Sequence, residues 1–243
     1  MRLDKMVSGL GVASRREVAN ACRRGGVTVN GVPQKDPSAH IDPQKDAVVY
    51  LGTPLSYRQY TYVMLNKPQG YISATEDGRY PVVTELLSKE LQKIGLFPCG
   101  RLDKDTTGLM LLTDDGELTH KLLSPRYHKA KVYAFTCRDV LDAGAEAAFE
   151  KGLRIDGYTC LPARLVLDPS RTSGRITLTE GKYHQIKRML ECYHDNKITT
   201  LSRLSLGGVT LDPALASGQW RMLTEGEIKL LKSDTEGEEN GLN

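Results

Sequence analysis

PCGRLDKDTTGLMLLTDDG (residues 98–116) passes from a polar turn straight into an apolar run. Gly100 and Gly108 bracket the polar part, and Leu109–Leu112 with Thr113 reads as a buried strand. That arrangement seats Asp103 on a turn beside a sheet, where a carboxylate is held rigidly next to low-dielectric protein and is suited to act as nucleophile or base. Other uses of the same residues compete with this one. Asp103-x-Asp105-x-Thr107-Gly108 has the outline of a calcium loop, but the twelfth position of such a loop wants a Glu, and a helix rather than LMLLT should follow. Asp103 and Asp105 as a glycosidase-like acid pair lie on one turn, an awkward geometry for carboxylates that must stand about 5–9 Å apart. A plain turn-forming aspartate also satisfies the pattern. The spacing leaves these alternatives open.

Working outward, Asp114 with Glu117 is expected to cap a helix, and KVYAFTC (131–137), PARLVL (162–167), GRITLT (174–179) and ITTLSRLSL (198–206) read as strands. GKYHQIKRMLECY (181–193) places Ile186, Met189, Leu190 and Tyr193 on one helical face, and Thr224 with Glu227 caps a last short helix. Upstream, TYVMLN (61–66) is a short apolar strand ended by Lys67-Pro68, and Pro81 stands at the first turn of a helix expected over VVTELLSKEL. Strands with interspersed helices and no regular βαβ beat indicate an α+β domain over 59–232, its sheet mixed but largely antiparallel and flanked by helices.

The first 58 residues have a different character. Leu3, Met6, Val7 and Leu10 recur at helical spacing until Gly9 and Gly11 break the run; Ser14 and Glu17 form a capping box for a second helix that Gly25-Gly26 closes. Val27-Thr-Val29 and Val32 flank Asn30-Gly31, a strong hairpin signal. A small unit of two helices and a little sheet is expected over 1–58, with GTPLSYRQY (52–60) as its linker.

At 243 residues the chain has room for one large domain, or one medium and one small. Lys and Arg number 33 against 30 Asp and Glu, so the whole chain is no polycation. The charge is uneven, however. Residues 1–58 hold nine Lys/Arg and five Asp/Glu, the excess carried mainly by Arg2, Lys5, Arg15, Arg16, Arg23 and Arg24. That cluster reads either as a footprint for a polyanion or as a solvated helix face. Residues 233–243 hold four acids and no base, an acidic tail expected to be disordered. No apolar run approaches the roughly 18 residues of a membrane span, and the start has no apolar core of signal-peptide length. Five scattered cysteines without a CxxC pair fit a reducing compartment, so a cytoplasmic location is expected. His184, Cys192 and His194 fit no common zinc spacing.

RLDKMVSGLGVASRREVANACRRGGVTVNG (2–31) resembles an S4 domain, a small RNA-binding module. NKPQGY (66–71), GRLDKDTTGL (100–109), KVY (131–133) and EGKYHQIKRML (180–190) resemble, in order, the motifs of the RsuA-like pseudouridine synthases. The resemblance implies an enzyme that isomerises uridine to pseudouridine within RNA, detaching uracil from ribose and rejoining it through carbon, with neither cofactor nor metal. It implies that Asp103 is the catalytic carboxylate and that Lys187 is its basic partner, a Lys where many relatives carry Arg. Tyr133 matches the tyrosine that stacks on the target base, Arg101 a residue that binds a backbone phosphate or holds the turn, and the S4 cations an RNA-gripping surface. Lys67 and Pro68 are expected to shape the rim of the site. SPRYHKAKVY (124–133) and EGKYHQIKRML look closest to the branch that modifies small-subunit ribosomal RNA. The expected partner is accordingly 16S rRNA or a small-subunit assembly intermediate, met by a monomer. The rivals are a synthase for 23S large-subunit rRNA, a non-enzymatic S4-type RNA-binding protein and a calcium-dependent hydrolase.

Overall fold

A computed structural model describes residues 1–236 and divides into two compact units: Met1–Thr61 with Leu87–Leu96, and Tyr62–Leu86 with the chain from Phe97 onward. In the first unit, α1 (Leu3–Gly9) buries Leu3, Met6 and Val7, and α2 (Arg15–Arg23) buries Val18, Ala21 and Cys22. The Ser14 hydroxyl accepts from the Glu17 N–H while the Glu17 carboxylate accepts from the Ser14 N–H, a complete capping box worth about 1 kcal/mol. β1 (Val27–Val29) and β2 (Val32–Pro33) are joined by Asn30 and Gly31 at φ 52° and 79°, the doubly positive turn that matches strand twist. β3 (Val48–Tyr50) and β4 (Thr53–Leu55) complete a sheet of order β2-β1-β3-β4. Thr53–Leu55 is therefore sheet rather than linker, brought back onto β3 by Leu51 and Gly52, both at positive φ.

This unit also takes in α3 (Lys89–Ile94). The single helix expected over 82–91 does not form. Val83–Leu86 makes a 3-10 turn, and α3 starts afresh because Ser88 is extended and its hydroxyl accepts from the Leu91 N–H. β-branched Val82, Val83 and Thr84 favour that break. Gly11, at φ 71°, is where the backbone passes α3: a Cβ there would lie 2.5 Å from the Glu90 carbonyl oxygen.

The second unit is built on one large sheet. Its strands are β5 (Tyr62–Lys67), β6 (Phe97–Pro98), β7 (Thr107–Thr113), β8 (Lys131–Cys137), β11 (Arg164–Leu167), β12 (Ser173–Leu178), β13 (Ile198–Leu206), β14 (Val209–Thr210) and β15 (Trp220–Met222), while β9 (Arg154–Ile155) and β10 (Tyr158–Thr159) form a separate hairpin. The order is β11-β12-β8-β13-β7-β5-β15, with β6 on β7 and β14 on β13. Among these strands only β13 and β7 run parallel, so the sheet is mixed and largely antiparallel, as expected. β5 and β7 are buried almost continuously, which is why their sequences read as unbroken apolar runs rather than alternation. Among the described residues no helix is long and apolar enough to cross a membrane.

The helices of this unit are α4 (Gly116–Leu123), α5 (Ala145–Lys151), α6 (Gln185–Cys192) and α7 (Glu225–Glu236). Asp115, not Asp114, caps α4: its carboxylate accepts from the Leu118 N–H and from the Tyr62 hydroxyl at 2.6 Å. α7 continues past Lys232 to Glu236, into the stretch expected as a tail, and packs on α4; residues 237–243 of that tail lie outside the described residues. Thr224 and Glu227 cap α7 as expected. Glu227 is also gripped by both ends of the Arg221 guanidinium, at 2.9 and 2.8 Å, and this pairing holds its carboxyl down at about 2. A depressed acid stabilises the fold above its unfolded value and loses that contribution as pH falls through the folded one. Glu227→Gln is therefore expected to cost about 2 kcal/mol at pH 7 and progressively less between about pH 4.5 and 2, measured by urea unfolding across pH.

Candidate active site

The turn that carries Asp103 owes its shape to neighbours distant in sequence. Gly108, at φ 96°, lies where β7 meets β13 in parallel, and a Cβ there would stand 2.3 Å from the Arg203 carbonyl oxygen. The Ser73 hydroxyl donates to the Leu102 carbonyl and accepts from the Leu102 N–H, each at 2.9 Å, and the Gly70 N–H donates to the Lys104 carbonyl. Beneath the turn sits Lys67, the last residue of β5 and fully buried. Its ammonium donates to the carbonyl oxygens of Thr106 at 2.8 Å, Asp103 at 3.0 Å and Pro68 at 3.2 Å. Burial pulls this ammonium down to about 8, against the upward pull of Asp105 and Asp103. Lys67 is thus a buried strut under the Asp103 turn and not a rim residue. Alternation along a short apolar strand gives no sign of this, because the Asp103 and Thr106 carbonyls that hold the charge come from a turn 36 and 39 residues away.

The turn opens onto a cleft of about 1000 Å³, lined by the turn itself, by Ile72, Ser73, Ala74 and Asp77, by the cleft-facing side chains of β8 and β13, and by the segment leading into α6. Here the fold brings together three of the four residues singled out for chemistry, and places the fourth at the edge. Lys187, on the first turn of α6, stands 2.9 Å from Asp103 Oδ2 and 2.6 Å from Asp105 Oδ1. Burial alone would lower the Lys187 ammonium, but the two carboxylates outweigh it and hold it above its usual value. Burial alone would likewise raise Asp105, yet the Lys187 hydrogen bond and charge keep it below the ordinary carboxylate range. Tyr133 on β8 is nearly buried and lines the cleft. Arg101 is exposed at the cleft and has no hydrogen-bond or ion-pair partner among the described residues.

This arrangement removes two of the alternatives left open by spacing. A glycosidase pair straddles the substrate from two sides, whereas Asp103 and Asp105 converge on the single ammonium of Lys187. LMLLT is strand, not the helix that a calcium loop leads into. His194 faces Asp142 rather than His184.

His184, weighed in the sequence as a metal ligand and not as a neighbour of Asp103, stands beside that carboxylate. It holds the N-cap of α6 in the left-handed region (φ 48°), its Nε2 lies 3.4 Å from Asp103 Oδ1, and its ring stacks on exposed Tyr183 at 3.8 Å. The available signal was its spacing, three residues before Lys187 on a helical start. In the first unit, Lys5, Arg15, Arg16, Arg23 and Arg24 are exposed, whereas Arg2 forks onto Asp4 at 3.0 and 2.7 Å and is partly committed to that pair.

Residues 61–192 match the family model described as RNA pseudouridylate synthase, and residues 1–46 match the S4 domain. The chain is 45% identical to an uncharacterised RNA pseudouridine synthase of Bacillus subtilis (strain 168), over 95% of this chain and 98% of that one. It is 39% identical to the ribosomal small subunit pseudouridine synthase A of Escherichia coli (strain K12), over 94% and 98% of the two chains. Among solved structures it is similar to one titled crystal structure of pseudouridylate synthase, with TM-score 0.67 and 36% identity, covering 95% of this chain and 99% of the other.

Proposed function

The chain belongs to the RNA pseudouridylate synthase family and carries an S4 domain, and from that premise we propose that it isomerises uridine to pseudouridine in small-subunit (16S) ribosomal RNA, with Asp103 as the catalytic carboxylate. The observation that carries the residue assignment is the 2.9 Å pair between Asp103 and Lys187 at the wall of a cleft that also holds Tyr133. The Lys187 ammonium orients the carboxylate, which must act in its ionised form whether it attacks ribose C1′, adds to the base or takes the C2′ proton.

A uridine within folded RNA reaches such a cleft only by leaving its stack. The ring of Tyr133 offers a face on which the extruded base rests, returning about 1–3 kcal/mol of lost stacking. Arg101, without a partner among the described residues, is placed to take a backbone phosphate at the mouth. The S4 cations supply sequence-independent grip, and the cleft supplies the choice of nucleotide. The reading extends to a cytoplasmic monomer acting on rRNA or on an assembly intermediate.

The test is incubation with a small-subunit rRNA transcript, naked or loaded with ribosomal proteins, followed by mapping of pseudouridines through chemical adducts and primer extension. One new stop supports the reading. A stop only on large-subunit rRNA moves the substrate, and none on either RNA removes the enzymatic reading in favour of a binding protein.

The grip has its own expected outcome. Replacing Arg15, Arg16, Arg23 and Arg24 together with Gln leaves folding intact, because all four are exposed, and weakens RNA binding. The slope of log affinity against log salt shrinks by about 0.7–0.9 for each phosphate that the variant no longer neutralises, read from filter binding at several salt concentrations. Whole-unit deletion is a poorer test, since residues 87–96 pack with the first unit and would lose their partner.

A further inference from the structure

The floor of the cleft holds two buried cations that the steps above do not use. Arg203 on β13 is 1% exposed, and its Nε donates to the Leu109 carbonyl at 2.8 Å. Lys131 on β8 is 8% exposed, and its Nζ donates to the Lys129 carbonyl at 3.1 Å. Among the described residues neither forms an ion pair with a carboxylate. Glu180 acts on Lys131 only from longer range, since its carboxylate is taken up by the Leu161 N–H and the Gln185 side chain.

Strand register shows where these charges face. Lys131 and Tyr133 are two apart on β8 and so share a face of the sheet, and Arg203 pairs directly with Tyr133 across β8 and β13. All three line the cleft. Burial, then the Arg203 charge, holds the Lys131 ammonium below its usual value, so the two cations feel one another. Two like charges buried side by side without a counter-charge are costly, and the cost falls when negative charge arrives between them.

We propose that Arg203 and Lys131 form an anion-stabilising floor for the target base, receiving the uracil carbonyl oxygen on which negative charge develops during isomerisation. The inference rests on the isomerase reading given above. When the ribose C1′–N1 bond breaks, its electron pair stays on N1 and spreads onto the two carbonyl oxygens. An Asp103 oxygen takes C1′, or Asp103 takes the C2′ proton. After the base turns, a ring electron pair forms the C1′–C5 bond while the Asp103–C1′ bond breaks back onto the carboxylate, or while the C2′ proton returns from Asp103; the C5 proton leaves and N1 gains one, so substrate and product are isomers. If Asp103 instead adds to the base, the resulting enolate again carries its charge on a carbonyl oxygen. Each route passes through a stage with negative charge on a uracil carbonyl oxygen, the charge that the floor would receive. A backbone phosphate is a different guest, because its charge is present before any bond breaks.

The decisive variant is Lys131→Met, which preserves volume and strips no carboxylate of its partner. Single-turnover base detachment is compared on RNA carrying uridine or 5-fluorouridine at the target position, with the full chain. Fluorine stabilises the base anion and so reduces the need for the floor. Lys131→Met is expected to slow the uridine substrate about 100-fold at unchanged RNA affinity, and the 5-fluorouridine substrate by much less. Arg203→Lys, which keeps the charge, should retain more rate than Arg203→Gln. Equal losses on both substrates, or an unchanged rate, overturn the proposal, and a loss confined to affinity overturns it by assigning the pair to a phosphate. Wild-type protein that leaves both RNAs unaltered removes the isomerase reading and this inference together. Wild-type activity that needs Asp103 but not Lys131 removes the inference alone.

Discussion

Asp103→Asn is expected to yield a folded protein whose pseudouridine formation falls by about 10⁴-fold or more, since a carboxamide neither attacks carbon nor takes a proton. The fold should barely notice. The side chain is 30% exposed, and its ion pair with Lys187 is of the kind worth less than about 1 kcal/mol. Lys187 keeps Asp105 at 2.6 Å, so the substitution leaves no orphaned ammonium. Urea unfolding and single-turnover rates on the same preparations separate the two effects. A variant with near-normal turnover removes Asp103 from the chemistry. Lys187→Met forms the companion measurement, expected to leave a folded enzyme of much reduced rate because it strips orientation and charge from both carboxylates.

Lys67→Met is expected to produce a large loss of rate for a modest loss of stability, and the magnitudes say why. Removing the ammonium leaves the Asp103 and Thr106 carbonyls without their buried donor, at about 1–3 kcal/mol each. It also relieves a buried charge whose value has been pulled from 10.5 to about 8, equivalent to about 3 kcal/mol in the opposite direction. The two nearly cancel in stability, leaving a net loss of about 1 kcal/mol. They do not cancel in catalysis: the turn loses the group that fixes its backbone, and a displacement of about 1 Å at a reacting atom lowers rate about 100-fold. Because the folded value lies below the unfolded one, the unfolded chain binds more protons between about pH 8 and 10.5. Wild-type stability relative to Lys67→Met therefore rises across that window. Paired urea titrations at pH 7 and pH 10 read the sign. A falling difference contradicts the strut.

Much of this was legible in local patterns. Ser14 and Glu17 close a capping box and Asn30-Gly31 makes the hairpin because each device is complete within a few residues. ITTLSRLSL is strand over its whole predicted length, and the motif around Asp103 carries its own turn and strand. Where the reading slipped, a nearby competitor won: Ser88 opened a new helix inside an expected one, and Asp115 displaced Asp114 because the Tyr62 hydroxyl stabilises it there.

What the amino-acid sequence determined by itself was the order of elements and the α+β class, since these rest on spacing and short-range hydrogen bonding; the family and the choice of Asp103 came from the resemblance of its motifs. Tertiary structure alone decided which charges are buried and what they face. Lys67 under the turn, His184 beside Asp103, and Arg203 with Lys131 on the cleft floor each depend on segments from 36 to 94 residues apart meeting in one register. A charged side chain reads as solvated until the fold sets carbonyls around it, because its desolvation and its partners are supplied by other strands and not by its neighbours in the chain.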